Sequence, residues 1–111
     1  MVELGIVEGY YGRPWSWEAR ADQIRFLAGH GYGFYIYAPK ADLLLRERWR
    51  EDYPQEIADQ LRRTVGVCAE AGVRFGVGLS PFEIWQDFGP DTQAAMARKL
   101  AFLDEIGRAH V

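Results

Sequence analysis

The sequence alternates three times between a short apolar stretch and a longer stretch whose apolar residues have helical spacing. The short stretches run from Leu4 to Val7, from Phe34 to Tyr37 and from Phe75 to Leu79. A strand that is apolar on both faces is typical of a parallel sheet covered on both sides. The alternation therefore predicts an α/β fold with a parallel sheet, either doubly wound or closed into a (β/α)₈ barrel.

Each predicted strand is followed by a predicted helix with a recognisable start or end. Ser16 is the expected N-cap of the first helix, and Gly31 is its expected stop. Pro54 suits the first position of the second helix, which Gly72 ends. The third helix is expected to begin near residues 91–92. The chain therefore contains three consecutive strand–helix units.

The loop after the first strand argues against a dinucleotide-binding sheet. Residues 9–14 read Gly-Tyr-Tyr-Gly-Arg-Pro, which lacks the G-x-G-x-x-G spacing that such a site needs. Gly76 and Gly78 alternate within the third predicted strand, where small residues more often relieve packing than bind phosphate. These residues exclude the nucleotide motif but leave both sheet architectures open.

Composition argues against several other classes of protein. The net charge is −3, from 16 acidic and 13 basic residues without a basic block, which is unlike a nucleic-acid-binding surface. Cys68 is the one cysteine, so an internal disulfide and a zinc site with several cysteines are both excluded. His30 and His110 have no second histidine at metal-binding spacing, and we therefore expect no metal.

The chain shows no sign of a targeting or membrane segment. Acidic Glu3 follows Met1 and Val2 directly, and no apolar run reaches about 18 residues. We therefore expect neither an ordinary signal peptide nor a membrane span, and the cytoplasm is the default location.

Aromatic and polar side chains collect in the loops that follow the predicted strands. Residues 8–17 hold four aromatic rings, a carboxylate and a guanidinium, residues 37–40 read Tyr-Ala-Pro-Lys, and residues 80–83 read Ser-Pro-Phe-Glu before Trp85. Such loops carry the reactive groups in barrels and open α/β sheets. Aromatic faces beside hydrogen-bonding groups suit pyranose rings, so the loops favour a carbohydrate ligand.

Each of these side chains also has a structural alternative. Glu8 is either a catalytic carboxylate or, as we favour, the ion-pair partner of a nearby arginine such as Arg13. Lys40 is either a ligand-binding lysine at the rim or a solvated one. The mixed-sign run at residues 42–52 is interpreted as a solvated loop. The sequence does not decide which aromatic rings of the first loop pack and which face a ligand, namely Tyr10, Tyr11, Trp15 and Trp17.

Four stretches of the chain resemble glycoside hydrolase family 84, the β-N-acetylglucosaminidase family that includes O-GlcNAcases and bacterial enzymes once called hyaluronidases. The stretches, in order, are EGYYGRPWSWEAR (8–20), YIYAPK (35–40), RERWREDYP (46–54) and VRFGVGLSP (73–81). Their order and spacing match the family, and the resemblance runs from about Leu4 to Asp104.

The resemblance implies a (β/α)₈ (TIM-barrel) catalytic domain of which this chain supplies the first three units, truncated. It implies a retaining exo-β-N-acetylglucosaminidase that hydrolyses terminal β-linked N-acetylglucosamine. The substrate's own 2-acetamido oxygen is the nucleophile in this family, which departs from the two-carboxylate scheme of most glycosidases. No metal and no organic cofactor are expected, and the expected partner is a glycoconjugate containing N-acetylglucosamine.

The resemblance also assigns site residues one by one. The backbone carbonyl of Gly9 would accept a hydrogen bond from a sugar hydroxyl, and the ammonium of Lys40 would donate to sugar oxygens. Tyr10 and Tyr11 are further candidates for contact with the substrate. The family's two adjacent catalytic aspartates follow the fourth strand, so we expect them beyond the end of this chain and no catalytic residue within it.

The chain departs from the family pattern near the mouth of the expected site. The family usually has two aspartates after A-P-K, where this chain has Ala41 and Asp42, and usually has glycine where this chain has Phe82. These changes leave the aglycone preference open. Asp104 and Glu105 are adjacent acids, but they fall late in a predicted helix and are expected to be exposed.

The last residues read unlike the rest of the chain. Residues 105–111 resemble translation into a sequencing adapter, so we assign residues 1–104 to the barrel and regard 105–111 as a non-native tail. Three of eight units would leave sheet edges unpaired, and we expect the chain alone to be inactive and incompletely packed. The alternative function is a carbohydrate-binding barrel relative that has lost the acid and base.

Overall fold

The computed structural model describes residues 3–9, 15–81, 84 and 88–108, which form three strand–helix units. The strands are β1 (Leu4–Glu8), β2 (Tyr32–Tyr37) and β3 (Arg74–Val77), and they are parallel and pair in the order β1-β2-β3. A short 3₁₀ helix, Leu43–Leu45, lies between β2 and the helix α2 (Gln55–Ala71). The predicted alternation and the parallel sheet are confirmed. The elements are, in chain order, β1 (Leu4–Glu8), α1 (Trp17–Ala28), β2 (Tyr32–Tyr37), α2 (Gln55–Ala71), β3 (Arg74–Val77) and α3 (Pro90–Arg108).

The helix ends follow the capping signals in part. Helix α1 ends at Ala28 with Gly29 as its C-cap, so the predicted stop, Gly31, lies three residues beyond the end of the helix, with a φ of 84°. The Ser16 side chain accepts a hydrogen bond from the backbone N–H of Ala19 at 3.1 Å and caps α1 as predicted. Gly72 ends α2 in the left-handed conformation, with a φ of 75°. Pro54 is the N-cap of α2 rather than its first residue. None of the helices in the described ranges is long and apolar enough to cross a membrane.

The side chains of the sheet divide between two faces. The helix face carries Glu8, Tyr35 and Tyr37, which are buried against α1 and α2. The other face, here called the open face, carries Val7, whose side chain is 59% exposed. Gly5 lies on the open face too, because the ring of Phe34 occupies the space where a Cβ would stand. The core therefore lies on one side of the sheet only.

Helix α3 runs through the boundary that the sequence suggested at residue 104. Asp104 and Glu105 are exposed, as expected, and Glu105 accepts a hydrogen bond from Arg62 of α2 at 3.3 Å. Ile106 is buried in the core with 1% of its surface exposed. Residues 105–108 therefore continue α3, and Ile106 contributes to the packing of the three units.

Candidate functional site

The two main candidate residues lie at the carboxyl ends of neighbouring strands. Gly9 directly follows β1, and Lys40 lies three residues after the end of β2. The backbone N–H of Ala38 donates to the carbonyl oxygen of Glu8 at 3.1 Å, so the pairing of the two strands continues beyond the regular ladder. Active sites of parallel barrels are built at this end of the sheet.

The described neighbours of Gly9 leave room for a Cβ at this position. A Cβ at this position would meet Val7 Cγ1 at 3.6 Å and the carbonyl oxygen of Ala38 at 3.8 Å, which are ordinary van der Waals distances. Nothing among the described residues crowds Gly9 more closely than that. The contacts among the described residues therefore do not themselves require glycine at this position.

Lys40 lies in a turn that is held at two points of its main chain. The backbone N–H of Asp42 donates to the carbonyl oxygen of Pro39 at 3.0 Å, which closes the turn around Lys40. The carbonyl oxygen of Lys40 accepts a hydrogen bond from Arg46 Nη1 at 3.1 Å. The side chain itself is half-buried. The main chain around Lys40 is therefore held in place by hydrogen bonds within its own loop.

Glu8 forms a buried ion pair, as favoured from the sequence, but with a different arginine. Arg20 Nε lies 2.8 Å from Glu8 Oε1, and Arg20 Nη2 lies 2.8 Å from Oε2. The Tyr35 hydroxyl also donates to Oε1. The two charged side chains are 0% and 4% exposed, which leaves Glu8 with no access to a substrate. The expected partner, Arg13, lies outside the described residues, and the correct one is Arg20 on the buried face of α1.

Aromatic rings surround the Arg20 guanidinium. Its central carbon lies 4.4 Å from the centroid of the Trp17 ring and 5.0 Å from that of Tyr37. Burial alone would lower the pKa of Arg20, but the hydrogen bonds and the charge of Glu8 outweigh it and raise the pKa. Trp17 stacks on Tyr37 at 5.6 Å between ring centroids. Trp17 is therefore one of the rings that pack the fold.

Of the other three aromatic rings in the first loop, the structure assigns a role only to Trp15. Trp15 is half-buried and packs against the core. Tyr10 and Tyr11, the candidate substrate contacts, lie outside the described residues, as do Glu83 and Trp85 of the third loop. The structure therefore assigns two of the four tryptophan and tyrosine rings to packing.

Asp42 is a structured residue that the sequence interpretation missed. Its Oδ2 atom accepts hydrogen bonds from the hydroxyls of Tyr37 and Tyr53, both at 2.7 Å. Its Oδ1 atom accepts from the backbone N–H of Leu44 at 3.0 Å and caps the 3₁₀ helix. The interpretation as a solvated loop residue is therefore wrong for Asp42. The other members of the run are exposed, as expected: Glu47, Arg48, Arg50, Glu51 and Asp52.

The charge of Asp42 affects both tyrosines that bind it. Burial, together with the nearby Asp42 carboxylate, raises the pKa of Tyr37 and the pKa of Tyr53 well above the ordinary value for a phenol. Both hydroxyls therefore stay protonated and act as donors. A capping signal was visible in the sequence, since Asp42 precedes three leucines. The two tyrosines, by contrast, meet Asp42 only through tertiary packing.

A cavity of about 580 Å³ lies on the helix face, between the start of α1 and the segment after β2. Its polar lining includes Arg20, Asp42, Ser16 and Arg48, each of which already has a hydrogen-bond partner within the chain. Neither Gly9 nor Lys40 is part of its wall. The remaining lining is mostly aromatic and aliphatic and includes Trp15, Trp17, Tyr37, Pro39, Leu43, Leu44, Tyr53 and Ile57.

The described ranges contain no group of three or more histidine, cysteine, aspartate or glutamate side chains that could hold a metal ion. Cys68 is buried in the core, and burial raises the pKa of its thiol to about 12. Its thiol is therefore a packing group rather than a nucleophile.

Comparison with known proteins gives one consistent answer. A sequence model of the β-N-acetylglucosaminidase family matches residues 4–110. Protein O-GlcNAcase from Rattus norvegicus and from Mus musculus are each 36% identical to this chain over 103 residues. The match covers 93% of this chain and 11% of either relative.

Solved structures agree with the sequence comparison. A mutant of the Thermobaculum terrenum O-GlcNAc hydrolase superposes with a TM-score of 0.86 at 32% identity, over 95% of this chain and 23% of that one. The protein CpGH84B gives a TM-score of 0.85 at 37% identity, over 95% of this chain and 19% of that one. This chain therefore spans less than a quarter of each of these four proteins.

Proposed function

The chain belongs to the β-N-acetylglucosaminidase family, and from this premise we propose that the protein containing it is a retaining exo-β-N-acetylglucosaminidase. Its substrate would be a glycoconjugate with a terminal β-linked N-acetylglucosamine. The relatives that carry the names O-GlcNAcase and O-GlcNAc hydrolase support this substrate class. The observation that carries the proposal is the superposition of nearly the whole chain on an O-GlcNAc hydrolase at a TM-score of 0.86.

The proposed architecture is a (β/α)₈ barrel of which the three described units are the first. Consecutive parallel strands joined by helices on one face are the repeating unit of that fold. The open face supports the proposal, because Val7 is 59% exposed there and a closed barrel would fill this face with side chains from the other strands.

The proposed chemistry uses the substrate as its own nucleophile. The 2-acetamido oxygen attacks the anomeric carbon, the bond to the aglycone oxygen breaks, and that oxygen takes a proton from a general acid. Water then opens the resulting oxazoline and returns a proton to the same residue, which gives retention of configuration. The 111 residues contain no two adjacent aspartates, and the proposal assigns the orienting and acid–base pair to the protein outside this segment.

The proposed contribution of this segment is to hold the sugar. The carbonyl oxygen of Gly9 would accept from a sugar hydroxyl, and Lys40 would donate to sugar oxygens from the neighbouring strand end. The position of Gly9 and Lys40 after neighbouring parallel strands and the hydrogen-bonded turn around Lys40 support these roles. Tyr10 and Tyr11 directly follow Gly9, and we propose them as further contacts with the sugar ring.

The test uses the complete protein with 4-nitrophenyl N-acetyl-β-glucosaminide. We expect release of nitrophenol, with the β-anomer of N-acetylglucosamine as the first product seen by NMR. The matched control is 4-nitrophenyl β-glucoside, which lacks the acetamido nucleophile and should be cleaved at least about 100-fold more slowly. Equal cleavage of the two substrates, or a first product of α configuration, would contradict the mechanism. Binding without any cleavage would favour a carbohydrate-binding relative instead.

A further inference from the structure

The side chain of Asp42 connects the turn that carries Lys40 to two other parts of the fold. Asp42 closes this turn with its backbone N–H, and its carboxylate then reaches two separate elements. Tyr37 is the last residue of β2, and Tyr53 lies two residues before α2. Because both hydroxyls donate to the same oxygen at 2.7 Å, Asp42 connects the end of the strand to the entrance of the helix.

All three partners of the Asp42 carboxylate donate hydrogen bonds, so the side chain at position 42 needs two acceptor atoms. The backbone N–H of Leu44 can only donate, and it takes Oδ1. Asparagine at position 42 would therefore keep its oxygen toward Leu44 and turn its NH₂ toward the two tyrosine hydroxyls. That group offers only donors to the hydroxyls, so both would have to reorient and the shared acceptor would be lost.

We propose that Asp42 is a positioning residue that fixes the direction of the Lys40 side chain for binding of the sugar. The proposal rests on the proposed function, because contact between Lys40 and the sugar is part of it. Asp42 brackets Lys40 from both sides in the sequence, through Tyr37 before it and through Leu44 and Tyr53 after it. The carboxylate thereby holds the backbone on both sides of Lys40, so less of this loop has to be ordered when a ligand binds.

The kinetic test compares Asp42→Asn, Lys40→Ala and the double variant in the complete protein. We expect Asp42→Asn to raise KM for the nitrophenyl substrate by about tenfold, with kcat changed by less than about threefold. In the Lys40→Ala background the same substitution should change KM by less than about twofold, because the residue that it positions is gone. The control is Glu47→Gln, which removes an exposed carboxylate five residues away and should leave KM unchanged.

Two kinetic results would overturn the proposal. One is an unchanged KM in Asp42→Asn. The other is the same factor with and without the Lys40 ammonium, since that would show a general effect on the fold. Tyr37→Phe and Tyr53→Phe should each give a smaller rise in KM than Asp42→Asn, because each removes one of the three donors.

A second measurement separates this proposal from the proposed function. If the wild-type protein cleaves no N-acetylglucosaminide, the proposed function fails, but the rigidity of the turn can still be measured by hydrogen exchange. Asp42→Asn should speed exchange of the amides at residues 40–44 by about tenfold or more, and Glu47→Gln should not. Unchanged exchange in Asp42→Asn would overturn the positioning role whatever the protein's activity.

Discussion

Two carboxylates near the carboxyl end of the sheet are both tied to tyrosine hydroxyls, yet their settings differ. Glu8 is completely buried and has a full positive charge beside it, from Arg20. Asp42 is half-buried, and its described hydrogen bonds come from neutral groups, namely the hydroxyls of Tyr37 and Tyr53 and a backbone N–H. One is an ion pair inside the core, and the other is a connection at the rim.

The difference shows how the same chemical group can serve stability in one place and geometry in another. A buried charge must be compensated, so removal of one member of the Glu8–Arg20 pair leaves an isolated ion in an apolar region. Asp42 is half-buried and bonded to neutral groups, so its replacement leaves no buried charge without a partner. We call Glu8, Arg20 and Tyr35 the Glu8 cluster, and Asp42, Tyr37 and Tyr53 the Asp42 cluster. We expect the Glu8 cluster to determine the stability of the fold and the Asp42 cluster to determine the shape of the loop.

The largest effect should come from Arg20→Met. This substitution leaves Glu8 buried without its countercharge and should lower the free energy of unfolding by about 3–5 kcal/mol. Denaturant unfolding of the complete protein measures it. The double variant Glu8→Gln with Arg20→Met removes both charges and should recover part of the loss. A loss below about 1 kcal/mol in the single variant would show that Glu8 is not dependent on Arg20.

Lys40→Ala should affect binding and leave folding unchanged. One or two charge-assisted hydrogen bonds to the sugar correspond to about 1.5–3 kcal/mol, so KM for the nitrophenyl substrate should rise by about 10- to 100-fold. The midpoint of thermal unfolding should not move. The matched control is Arg63→Ala, which removes an exposed cation from α2. Unchanged kinetics would remove Lys40 from the site, and with it the reason for the rigid turn.

Both clusters contain buried tyrosines, so the stability of the fold should decrease at alkaline pH. Burial and the neighbouring carboxylates raise the pKa values of Tyr35, Tyr37 and Tyr53 in the folded state. Above pH about 10 the unfolded chain loses phenolic protons that the folded chain keeps, so stability falls by about 1.4 kcal/mol per pH unit for each tyrosine. Below that pH their contribution is fully present.

Tyr53→Phe isolates one of these tyrosines. It should cost about 1 kcal/mol at neutral pH, where it removes a hydrogen bond to Asp42, and it should make the fall in stability above pH 10 less steep. Unfolding curves at several pH values between 8 and 11 measure both effects. Parallel curves for the variant and the wild type would mean that Tyr53 titrates normally in the folded protein.

The smallest effect should come from an exposed carboxylate in the same segment as Asp42. Glu51 accepts two hydrogen bonds from Arg48 at 2.6 and 2.7 Å, but both side chains are at least half exposed. Solvent screens such pairs, so Glu51→Gln should leave the unfolding midpoint within experimental error. A clear shift in the midpoint would show that the exposed charges near Asp42 also contribute to stability.

The three strand–helix units could be predicted because the local signals in the sequence agreed with one another. Apolar strands, helical spacing and the caps at Ser16 and Gly72 are local signals, and the structure confirms them. The ion pair of Glu8 was predicted in kind but assigned to Arg13, because closeness in sequence was the only guide. Arg20 is twelve residues away and reaches Glu8 only once α1 packs on the sheet.

The contacts of Asp42 with the two tyrosines could not be found by the same reasoning, although its capping role could. Asp42 stands among exposed charges in the sequence, and Tyr37 and Tyr53, which bind it, lie five and eleven residues away on opposite sides. Their meeting depends on the path of the loop rather than on any repeat. Gly9 and Lys40, by contrast, were predicted by resemblance to a family motif, and the structure adds that their strands are neighbours.

The most direct measurement is a crystal structure of the complete protein with N-acetylglucosamine bound. We predict that the Gly9 carbonyl oxygen and Lys40 Nζ each lie within about 3.2 Å of an oxygen of the same sugar. A sugar bound with neither group in contact, or with the lysine ammonium turned toward the protein, would contradict it.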